Sequence, residues 1–135
     1  MNKLIFLFFA SFLLVGCQSK PVTGETITAA GGSYQNITPA ELQTMLKDKD
    51  FVLVNVHIPF AGNIPATDLS IPYNEIEQNL SQLPSDKNAK IVLYCRSGRM
   101  SEIAAEQLVS LGYNNIWNLK GGMVDWEQAG FELEK

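Results

Sequence analysis

Ile91-Val92-Leu93-Tyr94-Cys95-Arg96-Ser97-Gly98-Arg99-Met100-Ser101 sets the fold of this 135-residue chain. Apolar, β-rich residues deliver Cys95 to a short loop with two arginines and a glycine, and a helical pattern follows at once. In that pattern Ala104, Leu108 and Leu111 form one stripe, widened by Ile103, and Gly112 stands where a C-cap glycine belongs. Working outward, Phe51-Val52-Leu53-Val54-Asn55-Val56 reads as a second buried strand and Asn115–Leu119 as a third. Thr38-Pro39-Ala40-Glu41 reads as a helix start: Thr38 caps, Pro39 fits the first helical position, and Glu41 completes a capping box. Leu42, Met45 and Leu46 give that helix an apolar face. Weaker helical patterns run through Tyr73–Leu83 and Met123–Ala129. Strands alternating with helices predict an α/β fold with a mostly parallel sheet. Ligands of such sheets bind beyond the C-terminal strand ends, where Cys95 lies.

The N-terminus reads as an address. Met1-Asn2-Lys3 is a short positive region, and the apolar run Leu4–Val15 is too short to span a bilayer. It ends in Leu14-Val15-Gly16-Cys17, which resembles the lipobox of bacterial lipoproteins. Residues 1–16 are therefore expected to be a lipoprotein signal peptide, with Cys17 lipidated after cleavage. Residues 17–33, polar and rich in small residues, are expected to form a flexible tether. Residues 34–135 are expected to form one domain, of a size that supports a real core. This anatomy predicts an exported protein, lipid-anchored in the bacterial envelope and facing the periplasm in a Gram-negative cell. The chain has a net charge of −4 and no basic tract, which argues against nucleic acid as a partner and leaves the lipid as the membrane anchor. A monomer is expected. Of the two cysteines the lipid would occupy one, so Cys95 is left as a free, reactive thiol in an oxidising compartment.

The loop after Cys95 suits an anion. Gly98 allows tight curvature, and successive backbone N–H groups before a helix form an anion-binding concavity. Arg96, Arg99 and the helix N-terminus favour thiolate over thiol. Phosphoryl transfer through a cysteinyl phosphate and sulfur transfer through a persulfide both use such a setting. The spacing separates them. Cysteine phosphatases place an arginine six positions after the nucleophile, and that position here is Ser101. The loop enters its helix after Met100, which leaves a cradle sized for one sulfur atom.

The loop Cys95–Ser101 resembles the active-site loop of single-domain rhodaneses, the sulfurtransferases. Tyr34–Leu42 is similar to their opening strand and helix, and Gly62-Asn63-Ile64-Pro65 to their Gly-His-Ile-Pro segment. Asn118-Leu119-Lys120-Gly121-Gly122-Met123-Val124-Asp125-Trp126 resembles their closing Gly-Gly…Trp motif. The resemblance implies a rhodanese-like sheet with helices on both faces. It implies that Cys95 takes sulfane sulfur from a donor such as thiosulfate, holds it as a persulfide, and yields it to cyanide or a thiol. The loop residues Arg96, Ser97, Gly98, Arg99 and Met100 would bind the anionic sulfur or substrate. No metal or organic cofactor is implied. Four positions depart from the family pattern: Asn55 and His57 in Asn55-Val56-His57, which replaces Asp-Val-Arg, Asn63, which replaces a histidine, and Met100, which stands where many loops have arginine.

Those departures support an alternative, a rhodanese-fold relay or protein-binding module with little activity on small donors and a periplasmic partner protein. A redox role lacks a resolving cysteine. His57, the single histidine, is expected to serve the backbone, Ser101 to cap the helix, and Trp117 and Trp126 to pack. No His/Cys/Asp cluster has metal-ligand spacing.

Overall fold

The computed structural model describes Gly16 and residues 20–135; the signal segment and Cys17 lie outside the described residues. Six strands form one sheet: β1 (Glu25–Ala29), β2 (Gly32–Ile37), β3 (Val52–Asn55), β4 (Leu69–Ser70), β5 (Ile91–Tyr94) and β6 (Ile116–Leu119). Their order is β1-β2-β6-β5-β3-β4, and every pairing is parallel except the β1–β2 hairpin. The helices are α1 (Pro39–Leu46), α2 (Arg99–Ser110) and α3 (Gly122–Gln128).

β5 lies at the centre of the sheet, and all four of its residues are buried. Period-2 alternation sends Ile91 and Leu93 to one face, where they pack with Ala104, Ala105 and Leu108 of α2. Val92 and Tyr94 face the other way, onto Leu42 of α1 and Met123 and Trp126 of α3. The predicted α/β sheet with helices on both faces is thus the observed one. The capping box at α1 is also present: Glu41 N–H donates to Thr38 Oγ1 at 3.2 Å and Thr38 N–H to Glu41 Oε2 at 2.8 Å.

Two expectations need correction. The stretch read as the end of a tether is folded, since Glu25–Ala29 pairs in antiparallel register with Asn36–Gly32 and Val22 packs on the core. Its polar and small residues suit an edge strand with one half-buried face, carried here by Ile27 and Ala29. The weak helix at 73–83 is a 3-10 stretch, Glu77–Gln82, interrupted at Asn79.

Candidate active site

Cys95 follows the C-terminal end of β5, and α2 begins four residues later at Arg99, earlier than the expected start after Met100, because Gly98 already serves as the cap. Gly98, at φ +111°, is the residue before the helix. That backbone conformation strains any residue with a Cβ, and it turns the Gly98 N–H back onto the Cys95 Sγ at 3.0 Å. Ser101 Oγ lies 3.5 Å from the same sulfur and donates to Gly98 O at 3.0 Å. Ser101 is therefore not the helix cap. It is fully buried in the first turn of α2, with its hydroxyl between the sulfur and the loop carbonyl. The thiol is free, and Cys95 is 1% exposed.

The loop is held from outside by the start of α3. Met123 N–H donates to Cys95 O and Val124 N–H to Arg96 O, both at 2.9 Å. These bonds satisfy two loop carbonyls with helix N-terminal donors that have no partner inside the helix. Gly122, at φ +58°, makes the approach possible: a Cβ there would run into Cys95 O and lie 2.7 Å from Arg96 O. The Gly-Gly motif is thus a backbone clamp on the cysteine loop.

A cleft of about 430 Å³ opens beside the loop, lined by Phe60, Ala61, Gly62, Arg96, Met123, Glu127, Leu133 and Lys135. Arg96 is the loop side chain that reaches it. Ser97 and Arg99 are exposed outside the cleft lining, and Met100 packs half-buried against the cluster that contains Cys95. Phe60 is 65% exposed at the cleft edge.

The far wall of the cleft rests on a neutral network. Asn55 Nδ2 donates to Gly62 O at 3.0 Å and to Asn63 Oδ1 at 2.9 Å, and Asn55 Oδ1 accepts from His57 N–H at 3.0 Å. The Tyr94 hydroxyl donates to Asn63 Oδ1 at 3.3 Å, accepts from Ile64 N–H at 3.1 Å, and lies 2.7 Å from Thr67 Oγ1. Burial pushes the Tyr94 phenol above its usual range, so the network is uncharged at neutral pH. Asn63 and Glu134 exchange backbone bonds of 2.7 and 2.8 Å, which sets the C-terminal segment against Gly62. The end of β3 is thus braced by amides, Asn55 and Asn63, without a charged group. Neither asparagine was predicted to act here, and their common change of chemistry was the available signal.

His57 lies at the end of β3, beside the cysteine loop. Burial lowers its pKa, and the Arg96 guanidinium lowers it further. Its backbone N–H donates to the Asn55 side chain, and no bond of its ring to the backbone, the expected role, is found among the described residues. Trp126 packs as predicted, buried, with Phe131 at a ring separation of 4.7 Å and its Nε1 donating to Glu132 O at 2.9 Å. Among the described residues no acidic, histidine and cysteine cluster could hold a metal, and no helix is long and apolar enough to cross a membrane.

Fold and site together define a single-sheet α/β protein that presents a cysteine in a backbone cradle at a parallel strand end. The rhodanese-like domain family model matches residues 38–129, and the chain belongs to that family. A sulfurtransferase of Allochromatium vinosum is 33% identical over 94 residues, covering 67% of this chain and 85% of that one. An uncharacterized Synechocystis protein is 36% identical over 110 residues; the match covers 78% of this chain and 60% of the relative's length. The solved rhodanese-like domain protein of Staphylococcus aureus superposes with a TM-score of 0.61 at 31% identity, over 74% of this chain and 98% of that one.

Proposed function

We propose that this protein is an exported, lipid-anchored sulfurtransferase that carries sulfane sulfur on Cys95. The lipid is assigned to Cys17 on the lipobox-like Leu14-Val15-Gly16-Cys17. The observation that carries the chemistry is the Gly98 N–H at 3.0 Å from the Cys95 sulfur, with the Ser101 hydroxyl beside it. The amide is a donor fixed by the fold, the hydroxyl can turn its single proton from Gly98 O toward the sulfur, and charge on sulfur is what both favour.

The Cys95 thiolate attacks the outer sulfur of thiosulfate. The new S–S bond forms as the old one breaks, and sulfite leaves with its bonding pair. Cys95 is then a persulfide anion, its terminal charge facing the loop amides. Cyanide or a thiolate attacks that terminal sulfur, departs as thiocyanate or a new persulfide, and restores the thiolate. No net electrons or protons are required. The covalent intermediate divides the transfer into two steps. Arg96 supplies positive charge at the cleft for an anionic donor, and burial of the sulfur limits attack to small terminal atoms.

Mass spectrometry after thiosulfate treatment tests this: one added sulfur is expected on the Cys95 peptide and none in Cys95→Ser. Wild type that gains no sulfur from any sulfane donor would overturn it.

A second reading, a relay to a partner protein's thiol, draws on the exposed Phe60 at the cleft edge, an apolar contact point for a polypeptide. It predicts slow turnover with cyanide and fast discharge to a protein persulfide acceptor. Fast turnover on thiosulfate and cyanide alone would count against it.

A further inference from the structure

The chain enters its fold at the pole of the sheet opposite Cys95. Lys20, Pro21 and Val22 lie with Thr44, Met45 and Asp48 at the end of α1, and with Asp50 and Lys90 just before β3 and β5. Val22 is packed against the core, so this entry point is fixed. Lys90 and Cys95 flank the two ends of β5, five residues apart, which places the two poles about 17 Å apart along the strand. Cys17 precedes Lys20 by three residues, a span of at most about 11 Å. A lipid on Cys17 therefore reaches the Lys20 pole and not the cysteine loop.

Charge is divided along the same axis. The Lys20 pole carries Lys20, Lys47, Lys49, Lys87 and Lys90. Against them stand Asp48, Asp50, Asp68 and Asp86. At the other pole Glu41 and Glu102 stand in the first turns of α1 and α2, and Glu134 lies against Asn63 beside the cleft. An anionic bilayer surface attracts the first pole and repels the rest.

We propose that the anchored protein stands on its Lys20 pole, with the Cys95 cleft directed into the aqueous space, so that it exchanges sulfur with water-soluble donors and acceptors rather than with groups at the bilayer. This rests on the lipid-anchor reading above. The test uses the full-length lipidated protein in vesicles of phosphatidylethanolamine with a minority of phosphatidylglycerol. In a Cys95→Ser background a fluorophore is placed by Ser85→Cys, beside the Lys20 pole, or by Glu75→Cys, beside the cysteine pole; both residues are exposed. Pro84 O accepts from Tyr113 near the start of β6, and Tyr73 N–H donates to Val56 O beyond the end of β3, which fixes these two placements. Energy transfer to a headgroup dye is expected to be several-fold greater from position 85 than from 75. Equal or reversed transfer overturns the orientation, even where the mass of the N-terminal peptide proves the lipid on Cys17. A peptide without the lipid mass overturns the anchor and this proposal together. Neither result touches sulfur loading of Cys95, which is read separately.

Discussion

Two strand ends meet at the cleft, and they are braced by different means. The end of β5 is held by backbone: Gly98 N–H on the sulfur, and the first amides of α3 on the Cys95 and Arg96 carbonyls. The end of β3 adds to its backbone bonds a side-chain network, Asn55, Asn63, Tyr94 and Thr67. Backbone bracing constrains glycines and loop length but leaves side chains open, so Arg96, Ser97 and Arg99 can vary in chemistry. Side-chain bracing constrains identity in sets. Asn55 and Asn63 are bonded to each other, so changing one alone leaves a polar atom of the other without its partner.

The comparison breaks first at the backbone side. Gly122→Ala drives a methyl into the Cys95 carbonyl from a left-handed conformation. The expected loss is about 3–5 kcal/mol in stability, or, if the chain still folds, displacement of the loop and loss of sulfur loading. Denaturant unfolding and persulfide mass spectrometry read the two outcomes. Unchanged stability with normal loading would show that α3 does not clamp the loop.

Tyr94→Phe tests the other side. It leaves the buried Ile64 N–H and one lone pair of Asn63 without the phenol, an expected cost of about 1–3 kcal/mol. Sulfur loading should persist, because this network supports the cleft wall and not the cradle. A cost below a few tenths of a kcal/mol would sink the network as a brace.

Ser101→Ala sharpens the cradle itself. With the Gly98 amide intact, removing the hydroxyl should slow sulfur loading roughly tenfold, equivalent to about 1.4 kcal/mol. Ser101→Thr should restore most of the rate. If Ala and wild type load equally fast, the hydroxyl serves only Gly98 O.

What could be read from the chain follows the range of each interaction. The buried run Ile91–Tyr94 and the Thr38 capping box are local, and both stand as predicted. The Cys95–Gly98 turn was legible because glycine marks a left-handed residue. Ser101 was misread because serine before alanines resembles a cap, whereas a glycine already occupied that position. β1 was missed because Pro21, Gly24 and a polar edge strand imitate a linker. The Gly122 clamp joins distant parts of the chain, and the Asn55–Asn63 pair closes an irregular eight-residue loop, so no strand or helix period could supply their partners.

The smallest effect lies where the two strand ends face each other. His57 lies two residues beyond β3 and Arg96 follows Cys95. Burial first, and Arg96 second, lower the His57 pKa from 6.5. The folded state therefore releases the imidazole proton more readily than the unfolded state does. Its share of stability is present above about pH 6.5 and is lost as pH falls through that value toward the lower, folded one. Wild type should lose more melting temperature than His57→Gln between about pH 7.5 and about pH 5.5. The difference should be slight, because solvent screens a ring this accessible. Anion binding should move in the opposite sense. A protonated His57 beside Arg96 adds positive charge at the cleft, so the KM for an anionic sulfur donor should fall as pH falls, and less so in His57→Gln. Parallel melting curves and parallel KM profiles would show that the two strand ends are electrostatically independent.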